Sequence, residues 1–494
     1  MIDALRINPA DNVAVAICEL PAGRRVEIGG AEILVSEQIP AGHKFALKNI
    51  PAGASVVKYG FSIGTSTADV KTGARVHSHN LCTNLSGKLN FGYNKETCKL
   101  PARKPSTFMG YRREDGRAAI RNELWIVPTV GCINGPAKAA AQQFASSGLP
   151  EGVDGIRVWE HSFGCSQLSE DHHNTQMILA GLASNPNAGG VLVFGLGCEN
   201  NTMEQFREVL GECSEKRVKF LVAQECEDEC LTAVSLLEEL AEYASGFKRE
   251  EISASELVIG LKCGGSDAFS GITANPVVGE VSNIIIAQGG SAILTEIPEM
   301  FGAEQMLLNR CKDKETFNSL KKLALEFREY FLSHGEPVGE NPSPGNRQGG
   351  ITTLEDKSLG CVQKAGCSEV VDVLRYGGKV KNKGLTILEG PGNDIVAVTA
   401  LAAAGCHLIL FTTGRGTPLG APVPVVKIAS NSKLAQKKPG WVDFNAGIVV
   451  EGSSVERTGR QLFELVLDVA SGKRTTSEAG SMPQMAIWKN GVTL

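Results

Sequence analysis

The sequence predicts an α/β protein whose large region carries parallel or mixed sheets, preceded by a small all-β domain. Three observations predict it. Residues 12–92 are short β-like runs broken by glycine and proline, with no helical period of useful length. From Tyr111 onward the text alternates strand, polar turn and helix. At 494 residues, with 42% hydrophobic and 21% charged, the chain is too long for one ordinary core and apolar enough to fold. The expected division is a small β domain over 1–92, a linker over 93–110, a first α/β part over 111–335 and a C-terminal α/β part over 336–494.

In the β domain the runs are VAVAI, RVEI, EILV, HKFAL, SVVKYG and RVHSHN, with PAG triplets at Pro21, Pro40 and Pro51 between them. His77 and His79 close the last run. Strand alternation would put both imidazoles on one face, where they could offer two nitrogens to one metal or touch a substrate. The alternative is a surface or hydrogen-bonded pair. His43, in Gly42-His43-Lys44, is a further candidate for substrate contact.

The α/β region begins with NELWIVPTV running into Gly131-Cys132, GIRVWEHS into Gly164-Cys165 and GGVLVFGLG into Gly197-Cys198. A fourth run, LVIGLK, ends in Cys263-Gly264-Gly265. Ligands of such folds bind outside the carboxyl ends of the strands, and parallel neighbours would bring these cysteines together. Two readings stand. The thiolates Cys165, Cys198 and Cys263, with Cys132, ligate iron or an iron–sulfur cluster, or they are small residues packed under a polar pocket.

The stretch from Leu257 to Gly279 carries the strongest site signal. After its apolar run come Ser266, Asp267, Ser270 and Asn275 among glycines, short polar groups suited to a polyhydroxylated anion. Asp267 is a candidate for proton transfer or metal ligation. Opposite it, Arg415 stands between glycines at another strand end, with Thr417 beside it, placed to grip a carboxylate. Glu304 to Phe331 reads as one long helix whose apolar stripe serves core or subunit contact, so a homo-oligomer is left open. Asn346 in ENPSPGN, and Glu355 and Lys357 in TTLEDK, stand in loop or helix-entry text, with a structural and a catalytic reading open for the last two.

A net charge of −5 without basic clusters gives no reason to expect nucleic acid or membrane as a partner. No apolar run approaches ~20 residues, and the first residues do not read as a signal peptide. A cytoplasmic location is expected, with the 14 cysteines as thiols and some as ligands rather than a disulfide framework. No Walker A sequence is present. Gly414-Arg415-Gly416 has Leu419 where a dinucleotide fingerprint needs its third glycine, which disfavours a nicotinamide oxidoreductase. Several convergent site loops disfavour a noncatalytic carbohydrate-binding protein.

The runs CGGSDAFSGITANPVVG, GLGCEN, ENPSPGN, GGITTLEDKSLG, GPGND, FTTGRGTP and KNGVTL, with GHKFAL, VVKYG and VHSHN near the start, resemble the altronate/galactarate dehydratase family over nearly the whole chain. Cys367 stands where a small residue such as serine is expected. The resemblance implies an N-terminal β-clip domain of the SAF type and a hydro-lyase converting D-altronate to 2-dehydro-3-deoxy-D-gluconate, with galactarate or another hexonate as alternatives. It implies iron(II) first and manganese(II) second as cofactor; an iron–sulfur cluster stays open from the cysteines.

Overall fold

Four copies of one turn build the N-terminal domain. In Pro21–Arg24, Pro40–His43, Pro51–Ala54 and Lys71–Ala74 the first carbonyl accepts from the fourth N–H, and the third residue is a glycine with φ between 79° and 82°. Type II geometry needs that left-handed third residue, which explains the PAG spelling. Strands Ala4–Leu5, Val13–Ala16, Lys44–Ala46 and Arg75–Val76 form one antiparallel sheet, and Ser55–Lys58, Phe61–Ser66 and Leu81–Cys82 another. The structure is a computed structural model that describes residues 2–85, 91–480 and 482–494; residues 86–90, the end of the predicted small domain, lie outside the described residues.

The expected strand through His77 and His79 is not formed. Pairing stops at Val76, because Asn80 Oδ1 takes the His77 N–H at 2.9 Å and Asn80 Nδ2 donates to the Arg75 carbonyl at 2.9 Å, turning the chain out of the ladder. The two imidazoles therefore do not share a strand face.

The middle of the chain carries a four-stranded parallel sheet in the order Gly155–Val158, Glu123–Pro128, Ala188–Gly195, Val218–Val222. The C-terminal region carries a seven-stranded parallel sheet in the order Val370–Leu374, Gly384–Leu388, Ser291–Leu294, Val258–Cys263, Leu408–Thr413, Val425–Ala429, Phe444–Asn445. Cys132, Cys165 and Cys198 follow the first sheet and Cys263 ends a strand of the second, so the four cysteines are not neighbours in one sheet. The long helix expected from Glu304 to Phe331 is two helices, Glu304–Leu308 and Lys314–Ser333. The break follows from Cys311 bridging to Val370, and from Asp313, whose side chain caps the second helix at the Thr316 N–H. One disulfide joins Cys98 to Cys367 across a separation of 269 residues, and the other twelve cysteines are free, so the chain carries a single bridge and no disulfide framework among the described residues. Spacing gave no sign of it, because the pairing depends on where the 93–110 segment lies against Gly366–Ser368.

No helix is long and apolar enough to cross a membrane among the described residues. One apolar core runs from the β domain into the large sheet, joining Val56 and Ile63 to Leu354, Leu359 and Met300. Inside that contact sits a buried charge triad. Asp356 receives Lys44 Nζ and Lys58 Nζ, each at 2.9 Å, and none of the three side chains is more than 2% exposed. Removing one partner of a buried set leaves uncompensated charge and costs about 3–5 kcal/mol. Asp356→Ala is expected to lose roughly that much unfolding free energy in urea, whereas Glu32→Ala, which breaks the exposed Arg25 pair, should lose no more than about 1 kcal/mol.

Candidate active site

The strand Val258–Cys263 lies at the middle of the seven, beside Leu408–Thr413. The chain leaves the first toward Ser291–Leu294 on one side and the second toward Val425–Ala429 on the other. That is a topological switch point, and the crevice beyond it is where open α/β sheets bind ligands. Its two lips are Cys263–Asp267 and Gly414–Thr417, the loops singled out in the sequence.

A cleft of about 610 Å³ opens there, lined by Cys263, Glu299, Asn341, Lys357, Asp394 and the aromatic Tyr330, among others. At its floor Cys263 Sγ, Cys361 Sγ and a Glu299 carboxylate oxygen lie within 4.8 Å of one another, all buried. Cys263 ends the central strand, Glu299 stands on a short 3₁₀ turn after Ser291–Leu294, and Cys361 closes the helix Leu354–Cys361. Thr353 starts that helix by accepting the Asp356 N–H. Three consecutive residues then point three ways. Glu355 accepts from Thr83 Oγ1 and the Asn84 N–H, Asp356 enters the lysine triad, and Lys357 donates to Glu299 at 2.7 Å and Asn341 at 3.0 Å.

Fixed charge surrounds the sulfur pair. Lys262 is bonded to Glu296 and, at 2.8 Å, to Asp394, and Lys364 stands 3.8 Å from Glu296. Burial raises the Glu296 carboxyl, and the neighbouring Glu299 adds to it; burial acts on Glu299 too, but Lys357, Lys262 and Lys364 hold it well below the usual range. The neighbouring Cys361 thiol, and against burial the charge of Lys364, favour ionisation at Cys263, while the same neighbour and burial push Cys361 upward, its Sγ donating to Glu299 at 3.3 Å. Two sulfurs and a carboxylate suit iron(II) better than a hard cation.

The remaining predicted residues fall into three places. Asp267 is buried with its carboxylate fully engaged by the Ser270 N–H and Oγ, Ser430 Oγ and Asn431 Nδ2, and burial raises its pKa. Ser266 bonds Cys263 Sγ, Asn346 Nδ2 donates to the Ser266 carbonyl at 2.7 Å, and Asn275 links Gly360 to Thr412. Arg415 is exposed at the rim, donating to Gln348, and Thr417 lines an adjoining cleft with Gly392 and Asp394. His43 and His77 stack with ring centres 5.1 Å apart against the Arg347–Gln348 carbonyls, while His79 is exposed. Cys165 and Cys198 are exposed on the other sheet.

Sequence reading missed Glu299, Glu296, Lys262, Lys364 and Cys361. Each had a signal of a kind. Glu296 and Glu299 directly follow a strand end in LTEIPEM, and Cys361 repeats the Gly-Cys spelling of the other strand ends.

Residues 254–493 match the family model described as D-galactarate/altronate dehydratase, C-terminal, residues 110–245 the D-galactarate dehydratase/altronate hydrolase second domain, and residues 2–84 the altronate/galactarate dehydratase SAF domain. The chain is 51% identical over 493 residues to altronate dehydratase of Bacillus subtilis (strain 168), covering 99% of each. It is 48% identical over 492 residues to altronate dehydratase of Escherichia coli (strain K12), again covering 99% of each. It is 33% identical to galactarate dehydratase (L-threo-forming) of Escherichia coli (strain K12) over 506 residues, covering 98% of this chain and 96% of the relative.

The stacked histidines give the site a pH signature. Burial first lowers both His43 and His77 to about 4, Arg75 assisting at each, while their carbonyl contacts act the other way. Their folded pKa lies below the ordinary value of about 6.5, so their stabilising contribution is complete above that pH and is lost as pH falls toward 4. Urea midpoints measured between pH 7 and 4 should fall in that window, and His43→Gln with His77→Gln should flatten part of the slope.

Proposed function

The chain belongs to the D-galactarate/altronate dehydratase family and is a sugar-acid hydro-lyase, and from that premise we propose that it removes water from D-altronate at the Cys263–Glu299–Cys361 cleft. The product would be 2-dehydro-3-deoxy-D-gluconate. The observation that carries the reading is the buried thiol–carboxylate cluster flanked by Lys357 at the switch point of the large sheet. Galactarate is the second reading, favoured by the more distant relative.

The chemistry explains the cations. A base removes the C2 proton, the electron pair becomes the C2–C3 double bond, the C3 hydroxyl leaves as water with a proton from an acid, and the enol tautomerises to the 2-keto acid. The hard step is placing further negative charge beside a carboxylate. Cys263, Glu299 and Cys361 would hold the divalent metal, whose charge would neutralise that carboxylate. Lys357 is raised well above its ordinary pKa, since the charge of Glu299 outweighs burial, so it stays an ammonium facing the developing charge. Arg415 at the rim orients the far part of the chain of hydroxyls or the carboxylate itself. Asp267, Ser270, Asn275 and Asn346 position the two lips rather than touch reacting atoms. We assign Glu355 to docking the β domain.

Incubating the iron(II)-loaded enzyme with a panel of aldonates and aldarates should give a 2-keto-3-deoxy acid fastest from D-altronate. Formation of none from any of them would overturn the assignment. Lys357→Met should lower kcat about 10²–10³-fold, the usual loss for a fixed charge at a developing oxyanion, with circular dichroism unchanged. Arg415→Lys should mainly raise KM, because lysine cannot form the bidentate grip.

A further inference from the structure

We propose that Cys132, Cys165 and Cys198 mount a [4Fe–4S] cluster through three thiolates, a site separate from the Cys263 cluster and beyond the hydro-lyase reading above. Each cysteine follows a glycine, and each Gly-Cys pair follows one of three adjacent parallel strands, Gly155–Val158, Glu123–Pro128 and Ala188–Gly195. Neighbouring strands stand about 4.7–4.9 Å apart, so their carboxyl ends set the three Gly-Cys loops side by side. Cysteine is among the most buried residue types, yet all three are free and exposed. Apart from a 3.9 Å contact from Ser166 Oγ to Cys165, their sulfurs have no hydrogen-bond partner in the structure's described residues.

The loops are locked to one another. Gly131 N–H donates to the Phe163 carbonyl at 2.8 Å, Asn201 N–H to Gly164 at 3.0 Å, and Ser166 N–H to Asn200 Oδ1 at 2.8 Å. A side chain on Gly164 would stand 2.0 Å from the Thr129 carbonyl, and one on Gly131 2.8 Å from that of His161. The glycines thus let three backbones close up while the next residue presents sulfur outward. Beneath them Glu199 is consumed by Thr129 Oγ1 and the Leu196 and Gly197 N–H groups, which leaves it no role as a ligand. Gln167 adds an independent sign of a ligand. It is 3% exposed, its Oε1 takes the Gly164 N–H at 3.2 Å, and its Nε2 is buried without a partner, free to donate to an inorganic sulfide. Cys226 and Cys230 instead direct their thiols to the Val222 and Pro136 carbonyls.

Three thiolates leave the fourth iron without a protein sulfur. The helix Ser169–Ser184, which follows the Cys165 loop, packs along Asp394–Ala403 with their carboxyl ends together, since Gly181 abuts the Ala403 carbonyl and Asn185 donates to Ala402 at 2.9 Å. Their amino ends therefore also lie at one end of the pair, which sets the cysteine loops on the side of the cleft wall formed by Gly392 and Asp394.

The test is reconstitution of the full chain under anaerobic conditions with iron(III), a thiol reductant and sulfide, followed by iron and acid-labile sulfide assays and electron paramagnetic resonance of the dithionite-reduced sample. Near-equal iron and sulfide, with loss of the labile sulfide in each of Cys132→Ser, Cys165→Ser and Cys198→Ser, is expected. Cys226→Ser and Cys263→Ser should keep it, the latter even if turnover is lost, which separates this site from the proposed reaction centre. Iron taken up without labile sulfide, full sulfide in any of the three single variants whose circular dichroism is native, or sulfide lost in Cys263→Ser would each overturn the assignment.

Discussion

The buried ion triad of Asp356 with Lys44 and Lys58 is the constraint on which the active-site region depends. Three charges with almost no exposure are tolerable only if the partners stay together, because each alone carries a desolvation cost of several kcal/mol. The lysines come from two strands of the β domain and the aspartate from the helix that ends in Cys361. Neither part can move far without stranding charge in an apolar core. Burial acts on the lysines unequally: Lys44 is brought down to about 8 by burial and by the ammonium of Lys58, while Asp356 outweighs burial at Lys58 and raises it.

The same eight-residue helix shows how a polar segment can be wholly buried. Successive residues on a helix point about 100° apart, so Glu355, Asp356 and Lys357 address three different surroundings: the Thr83–Asn84 loop, the lysine pair and Glu299. A helix polar on every side needs such partners to be stable. Their consequence is positional. Once Glu355 and Asp356 are fixed to the β domain, Lys357 and Cys361 are fixed toward the cleft.

Much of this was legible because strand ends are local events. An apolar β-branched run that stops at glycine announces both a buried strand and a loop at its carboxyl end, and Cys263–Asp267 and Gly414–Thr417 were read in that way. The parallel α/β region and the all-β start followed from the same punctuation. What escaped were features set by partners distant in sequence. Glu299 and Cys361 matter because of what folds against Cys263, and Cys98 finds Cys367 only in three dimensions. The histidine run misled for a local reason: Asn80 competes for the backbone of Arg75 and His77, and a short polar side chain can end a strand as effectively as a proline.

The cleft at the switch point balances charge among its own side chains. Lys262, Lys357 and Lys364 meet Glu296, Glu299 and Asp394, three cations against three carboxylates, so ionisation of a thiol there would tip the floor negative. Burial makes that excess expensive and raises the Glu296 carboxyl, with Glu299 adding to it against the two neighbouring lysines. A divalent cation at the sulfur pair would cancel that excess: thiols surrender protons on coordination, and two thiolates with one divalent cation would leave the floor close to neutral for an entering carboxylate. Affinity for a sugar acid and affinity for the metal are then one electrostatic problem. The rim differs from the floor in keeping charge in contact with solvent, with Arg415 exposed and Asp394 partly so.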